Sequence, residues 1–212
     1  MKIAVLSDVH GNLPALELML KDAGKVDGYI CLGDIVNYGP WSNECIDLIC
    51  SLPNCTIVLG NHEQYFLTGS YDGTNIIAKT FFEFCYPSFA RKEKIKNLTD
   101  TYSLNGFTFS HTINNQYIYP DTKISLDGNY VIGHTHHQFK ISDPPFVLYN
   151  PGSVGQNRKF INVINYMTLD TDSMKFDMKA ITYDEQMIIG EMKKQKYPSA
   201  CIKYYDDKQR YS

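Results

Sequence analysis

The stretch Lys2–Asn12 constrains this chain more than any other. Lys2 to Leu6 is a short, mostly apolar run close to the first residue, which predicts a buried strand. The run stops in a polar loop carrying Asp8 and His10, and Gly11 and Asn12 then turn the chain into a helical pattern with apolar residues at Leu13, Leu16, Met19 and Leu20. Asn12 reads as the N-cap of that helix, Pro14 lies in its first turn, and Gly24 ends it. A loop at the carboxyl end of a strand is where α/β sheets bind ligands. A carboxylate and an imidazole two positions apart there can face one metal ion, whose further ligands would come from the remaining strand ends.

Gly28–Leu32 is a second buried strand and closes into Gly33 and Asp34, giving a βαβ unit with parallel strands and a right-handed crossover. After the Gly39-Pro40 break, Ser42–Cys50 predicts a short helix with Ile46, Ile49 and Cys50 inward. Thr56–Leu59 reads as a third strand, ending in the loop Gly60–Glu63 that holds Asn61 and His62. Residues 65–98 have helical character over Ile76–Phe84 and Ser88–Leu98 and are rich in aromatics. They read as a helical hairpin on the sheet, with a substrate cap as the alternative role. Asn105-Gly106 is a two-residue hairpin turn between Tyr102–Leu104 and Phe107–Ser110, and the second of these strands ends at His111.

Tyr130–Gly133 is a short strand ending in His134, Thr135, His136 and His137, and Phe146–Tyr149 leads into the loop Asn150–Gln156. Ile161–Leu169 and Met174–Ile181 read as two further strands, and Asp184 as the cap of a helix reaching about Lys194. The tail from Tyr197 to Ser212 reads as peripheral. With no repeat or linker, a single domain over residues 1–212 is expected.

Hydrophobic residues make up 43% and charged residues 20% of the 212, as in ordinary globular proteins. A net charge of -3 disfavours broad binding to nucleic acid or an anionic membrane, but not a small phosphate-bearing substrate held by metals. No signal-peptide pattern and no apolar run near the roughly 20 residues of a spanning helix is visible, so a cytoplasmic protein without membrane partners is expected. The six cysteines form no CxxC pair and read as free thiols.

The strand-end residues are Asp8, His10, Asp34, Asn61, His62, His111, His134 and His136. Their oxygen and nitrogen donors suit Mn, Fe or Zn and lack the thiolates of a structural zinc site. They suffice for two metals if one carboxylate bridges. The order Asp-x-His, Gly-Asp, Gly-Asn-His-Glu, a lone His and Gly-His-x-His resembles the calcineurin-like metallophosphoesterase superfamily. The loops Gly33–Pro40 and Asn150–Gln156 are similar to its small YfcE-like phosphodiesterase branch.

That resemblance implies an α/β fold, a four-layer α/β/β/α sandwich of two mixed sheets flanked by helices. It implies two divalent transition metal ions, Mn before Fe, Zn or Ni. Asp8, His10 and His136 would hold the first, Asp34 would bridge, and Asn61, His111 and His134 would complete the second. His62 would face the substrate, stabilising phosphoryl oxygens or protonating the leaving oxygen. The implied reaction is hydrolysis of a phosphodiester by a metal-bridging hydroxide. Phosphomonoesters and dinucleoside polyphosphates are the alternatives, and a nucleotide is among the candidate substrates. A non-catalytic scaffold with this fold is the reading from another class.

The arginine that follows the second motif in the larger protein phosphatases is absent, since Asp34 is followed by Ile35, Val36, Asn37 and Tyr38. Glu63 is expected to orient a neighbouring ligand and His137 to lie at the rim. Asn12, Asn37 and Arg158 are the candidate substrate contacts, with cap, turn and surface roles as their structural alternatives. A homo-oligomer is compatible with this composition.

Overall fold

The computed structural model describes all of residues 1–212. Alternate side chains of β1 (Lys2–Leu6) face two different apolar layers, and this places the strand in the middle of the molecule. It pairs in parallel with β2 (Gly28–Cys31), which pairs in parallel with β3 (Cys55–Ile57). On its other side it pairs antiparallel with β9 (Val163–Asp170), and β9 with the exposed edge strand β10 (Lys175–Thr182). The second sheet has the order β4 (Thr101–Leu104), β5 (Phe107–Ser110), β6 (Asn129–Ile132), β8 (Phe146–Pro151) and β7 (Gln138–Asp143). Its central strands β5, β6 and β8 run parallel.

Ile3, Val5, Ile30 and Leu32 meet Phe107, Phe109 and Val131 between the two sheets. On the opposite face of β1, Ala4 and Leu6 share a cluster with seven helices. These are α1 (Leu13–Ala23), α2 (Ser42–Ser51), α3 (Asn61–Thr68), α4 (Ile76–Cys85), α5 (Lys92–Ile95), α6 (Gln186–Lys194) and α7 (Ser199–Asp206). Two mixed five-stranded sheets flanked by helices are therefore the architecture, as the resemblance implied. Over the outer face of the second sheet, Ile132, Phe139 and Leu148 lie under Ile118 and Leu126 of the irregular segment 112–128.

Several sequence expectations need correction. Cys45, not Cys50, is the buried thiol of α2, because 45, 46 and 49 share one helical face and 50 lies beyond it. The third strand ends at Ile57, and Val58 makes only an isolated bridge to Thr99. Within Ser88–Leu98 only Lys92–Ile95 is α-helical: the 3-10 turn Tyr86–Ser88 runs into an extended Phe89, with φ of -76° and ψ of 121°, which keeps the helix from starting at Ser88. Strand β7 was not foreseen. The tail is not peripheral: Tyr197, Cys201 and Tyr205 recur every four residues as a buried stripe, and α7 packs on α4 and α6. All six cysteines are free thiols. No helix is long and apolar enough to cross a membrane.

Candidate metal centre

The carboxyl ends of β1, β2, β5 and β6 converge, bringing Asp8 and His10, Asp34, His111, and His134 and His136 to one place. Asn61 and His62 join them from the first turn of α3 rather than from a loop. Asp8, His10, Asp34, His134 and His136 all have left-handed backbone, with φ of 55°, 49°, 54°, 73° and 61°. Such residues cost on the order of 1–3 kcal/mol each and persist only where the surroundings hold them. Here the loops brace one another: Asp8 N–H donates to Gly33 O at 3.1 Å, His10 N–H to Asp34 O at 3.0 Å, and Gly11 N–H to Ile35 O at 2.7 Å. Gly60 is required by the close approach of these loops, since a Cβ there would lie 2.3 Å from Asp34 Oδ1.

The side chains form two groups. Ligand atoms of Asp8, His10, Asp34 and His136 lie within 4.8 Å of one another, as do those of Asp34, His111 and His134, so the groups share Asp34. Asn61 Oδ1 lies 3.0 Å from His111 Nε2 and 2.9 Å from His134 Nδ1 and adds an oxygen to the second group. His10, His111 and His136 each turn Nδ1 to a carbonyl, of Val36 at 3.1 Å, Leu32 at 2.7 Å and Gln156 at 2.8 Å. Those bonds place the neutral-ring proton on Nδ1 and leave the Nε2 lone pair aimed inward. His10 Nε2 and His136 Nε2 then face each other at 3.2 Å with no proton between them, and the buried Asp8 Oδ1 beside them has no hydrogen-bond partner. A bound cation satisfies all three atoms, so the residues present fit divalent metal ions.

Titration behaviour follows from burial and from Asp34. Burial lowers His10 and His136 well below the ordinary imidazole range, His134 to about 4, and His62 less far. These rings are therefore neutral at neutral pH. Burial works against ionised Asp34 too, but the His111 and His62 imidazoles beside it outweigh burial and hold its carboxyl well below the usual range. Burial opposes the charged form of His111, yet Asp34 at 3.2 Å raises it to about 10. The pair thus keeps a proton where a cation would neutralise the carboxylate. Burial pushes Asp8 up to about 7.

His62 Nε2 lies 3.9 Å from Asp34 Oδ2, and its Nδ1 accepts from Asn37 Nδ2 at 2.9 Å. The same amide nitrogen donates to Ala78 O at 3.3 Å, which fixes the orientation of the amide. The Asn37 amide nitrogen, fully buried, is thus committed to His62 and Ala78, while its Oδ1 has no hydrogen-bond partner. Asn12 is fully buried as well and takes the cap role: it caps α1 through Ala15 N–H at 3.2 Å and donates to the Tyr183 hydroxyl at 2.9 Å. Glu63 accepts from the backbone N–H groups of Asp34, Ile35, Val36 and Gly60 and so orients Asp34. Arg158 is brought to the site, lining a cavity of about 260 Å³ with Asp34, His62 and His134 and donating to the Tyr204 hydroxyl. His137 is half-buried, with its ring edge toward Tyr119, and belongs to neither group. Tyr65 and Tyr71 of this cavity come from the aromatic-rich segment 65–98, whereas Tyr117 and Tyr119 are unforeseen. In the sequence these two are not distinguished from the rest of the sixteen tyrosines of the chain.

Buried imidazoles and carboxylates set for divalent cations at the strand ends of two facing sheets outline a metal-dependent hydrolase. The profile of the calcineurin-like phosphoesterase family matches residues 1–149, and the chain belongs to that family. It is 29% identical to an uncharacterized protein of Methanocaldococcus jannaschii over 92% of this chain and 93% of the relative. The metallophosphoesterase of Sphaerobacter thermophilus superposes with a TM-score of 0.81 at 25% identity, over 97% of this chain and 99% of that one. The YfcE phosphoesterase of E. coli shares the fold, with a TM-score of 0.51 at 19% identity over 87% of this chain and 100% of its own. Family membership implies a phosphoric ester hydrolase that uses divalent metal ions on small phosphate esters.

Proposed function

We propose that the protein is a dinuclear metallophosphodiesterase. Asp8, His10, Asp34 and His136 hold one cation, and Asp34, Asn61, His111 and His134 hold the other. The observation that carries this reading is the sharing of Asp34 between the two ligand groups. A mixed carboxylate and imidazole set favours Mn, with Fe, Zn or Ni as alternatives. When bound, such a pair of ions lowers the pKa of water and neutralises charge developing on a phosphoryl group.

The chain's own residues supply the rest. His62 is neutral because it is buried, and its Nδ1 already accepts from Asn37, so its proton sits on Nε2 and points to the site. A second proton on Nδ1 would meet the Asn37 N–H head on. His62 is therefore a hydrogen-bond donor to a phosphoryl or leaving oxygen rather than an acid that cycles through imidazolium. Arg158 adds a fixed positive charge for another phosphoryl oxygen. It is the one lysine or arginine lining the cavity.

The test is hydrolysis of bis(p-nitrophenyl) phosphate. Mn should stimulate it, p-nitrophenyl phosphate should turn over more slowly, and chelator, Asp34→Ala or His134→Ala should abolish it. Undiminished turnover in both variants overturns the reading, and protein that binds no transition metal on elemental analysis leaves a scaffold instead.

A further inference from the structure

Tyr117 and Tyr119 are 62% and 42% exposed, and nothing in the packing of the sheet calls for them. The residue between them, Ile118, is buried on the outer face of the second sheet and anchors the segment, so its neighbours are turned outward. Their rings are close to parallel, 13° apart, with centroids separated by 6.5 Å. Tyr117 lies 4.2 Å from the ring of His134, so the aromatic surface begins at the candidate metal cluster and runs outward. Tyr65 and Tyr71, centroids 4.7 Å apart, line the same cavity, with Tyr65 5.6 Å from the ring of His62.

We propose that this mouth is a stacking subsite for a planar aromatic group of nucleobase type carried by the phosphoester, with Tyr117 and Tyr119 as the stacking surface. This rests on the phosphoesterase reading above. An exposed tyrosine pair next to a phosphate site offers a base what water does not, a polarisable face of its own shape. The cavity, of about 260 Å³, is lined by these tyrosines together with Asp34, His62 and His134, so a group stacked on them lies beside the phosphoryl position. Arg158 as the one lining cation matches a substrate whose binding beyond the phosphorus is apolar rather than ionic.

The experiment is calorimetric binding to the Mn-loaded protein of two probes with the same phosphate, adenosine monophosphate and the base-free glycerol phosphate. The base should give about tenfold tighter binding. That ratio should fall toward one in Tyr117→Leu/Tyr119→Leu and in Tyr119→Leu alone, and persist in Tyr117→Phe/Tyr119→Phe, which keeps the rings. Equal affinities in the unmodified protein, or a ratio that survives the leucine variants, overturns the proposal. If the ratio holds while phosphodiesters are not hydrolysed, the function reading fails and the subsite stands. If hydrolysis proceeds with a ratio of one, the subsite fails and the function reading stands.

Discussion

Glu63 is the residue whose loss should damage both the fold and the site. Its Oε2 accepts from Asp34 N–H at 2.7 Å and Gly60 N–H at 3.1 Å, and its Oε1 from Ile35 N–H at 2.7 Å and Val36 N–H at 3.1 Å. One carboxylate thus ties the loop after β2 to the start of α3 and holds Asp34 at its left-handed φ of 54°. Glu63→Gln keeps the shape but presents an NH2 group to one pair of these donors. Two buried N–H groups lose their acceptor and face another donor. A bond to a charged acceptor is worth about 1.5–3 kcal/mol, so the variant should lose about 4 kcal/mol. For a chain of this size that is about 8–16 °C in Tm.

The measurement belongs at about pH 8, because burial and then the nearby Asp34 push the Glu63 carboxyl up to about 7, and only above that is it ionised. Mn affinity should fall by about 10–100-fold as well, the usual consequence of releasing a partner that orients a ligand. Thermal unfolding followed by circular dichroism reads the first effect and Mn titration the second. A Tm within about 2 °C of the parent protein, together with unchanged Mn affinity, would refute the claim that this carboxylate holds Asp34 in place.

Two further outcomes are expected. Because Asp8 is pushed up to about 7 and His111 to about 10, Mn must displace a proton from His111 below about pH 10 and a second from Asp8 below about pH 7. Affinity should therefore rise with pH, about tenfold per unit between these values and more steeply below the lower one; a flat profile from about pH 6 to 9 contradicts it. Tyr205→Ala should cost about 3–5 kcal/mol in urea unfolding, since the ring is fully buried and its hydroxyl accepts from Gln156, whose carbonyl holds His136. A truly peripheral tail would show almost no change.

The candidate ligands are legible in the sequence because they depend on residue type and on where strands stop. Lys2–Leu6 and Gly28–Cys31 announce themselves as buried runs, and Asp8, His10 and Asp34 follow at their ends. Helix α3 is not legible in this way. It is eight residues long with a weak apolar face, and the Glu63 carboxylate rather than a periodic stripe secures its start. The stripe that runs from Tyr197 into α7 is hidden for another reason: two of its three members are tyrosines, which in a sequence read as polar. Asparagine roles are the least legible. Asn12 and Asn37 both follow strand-end motifs, yet one is committed to Tyr183 and Gly155, 171 and 143 residues away, and the other to His62 and Ala78.

The spacing of Asp8 and His10 carries a more specific lesson. In an extended strand, positions i and i+2 share a face, which is a sufficient reason to expect one metal between them. The chain does not use that geometry. Asp8 and His10 are both left-handed, and Val9 between them is buried in the helix-side core. Asp34, His134 and His136 repeat the same conformation at three more points. Left-handed turns are cheapest for glycine, so five of them occupied by Asp and His mark places where the side chain matters more than the backbone strain. Packing does not account for that choice. A centre that needs inward-facing oxygen and nitrogen atoms at the tip of each strand does.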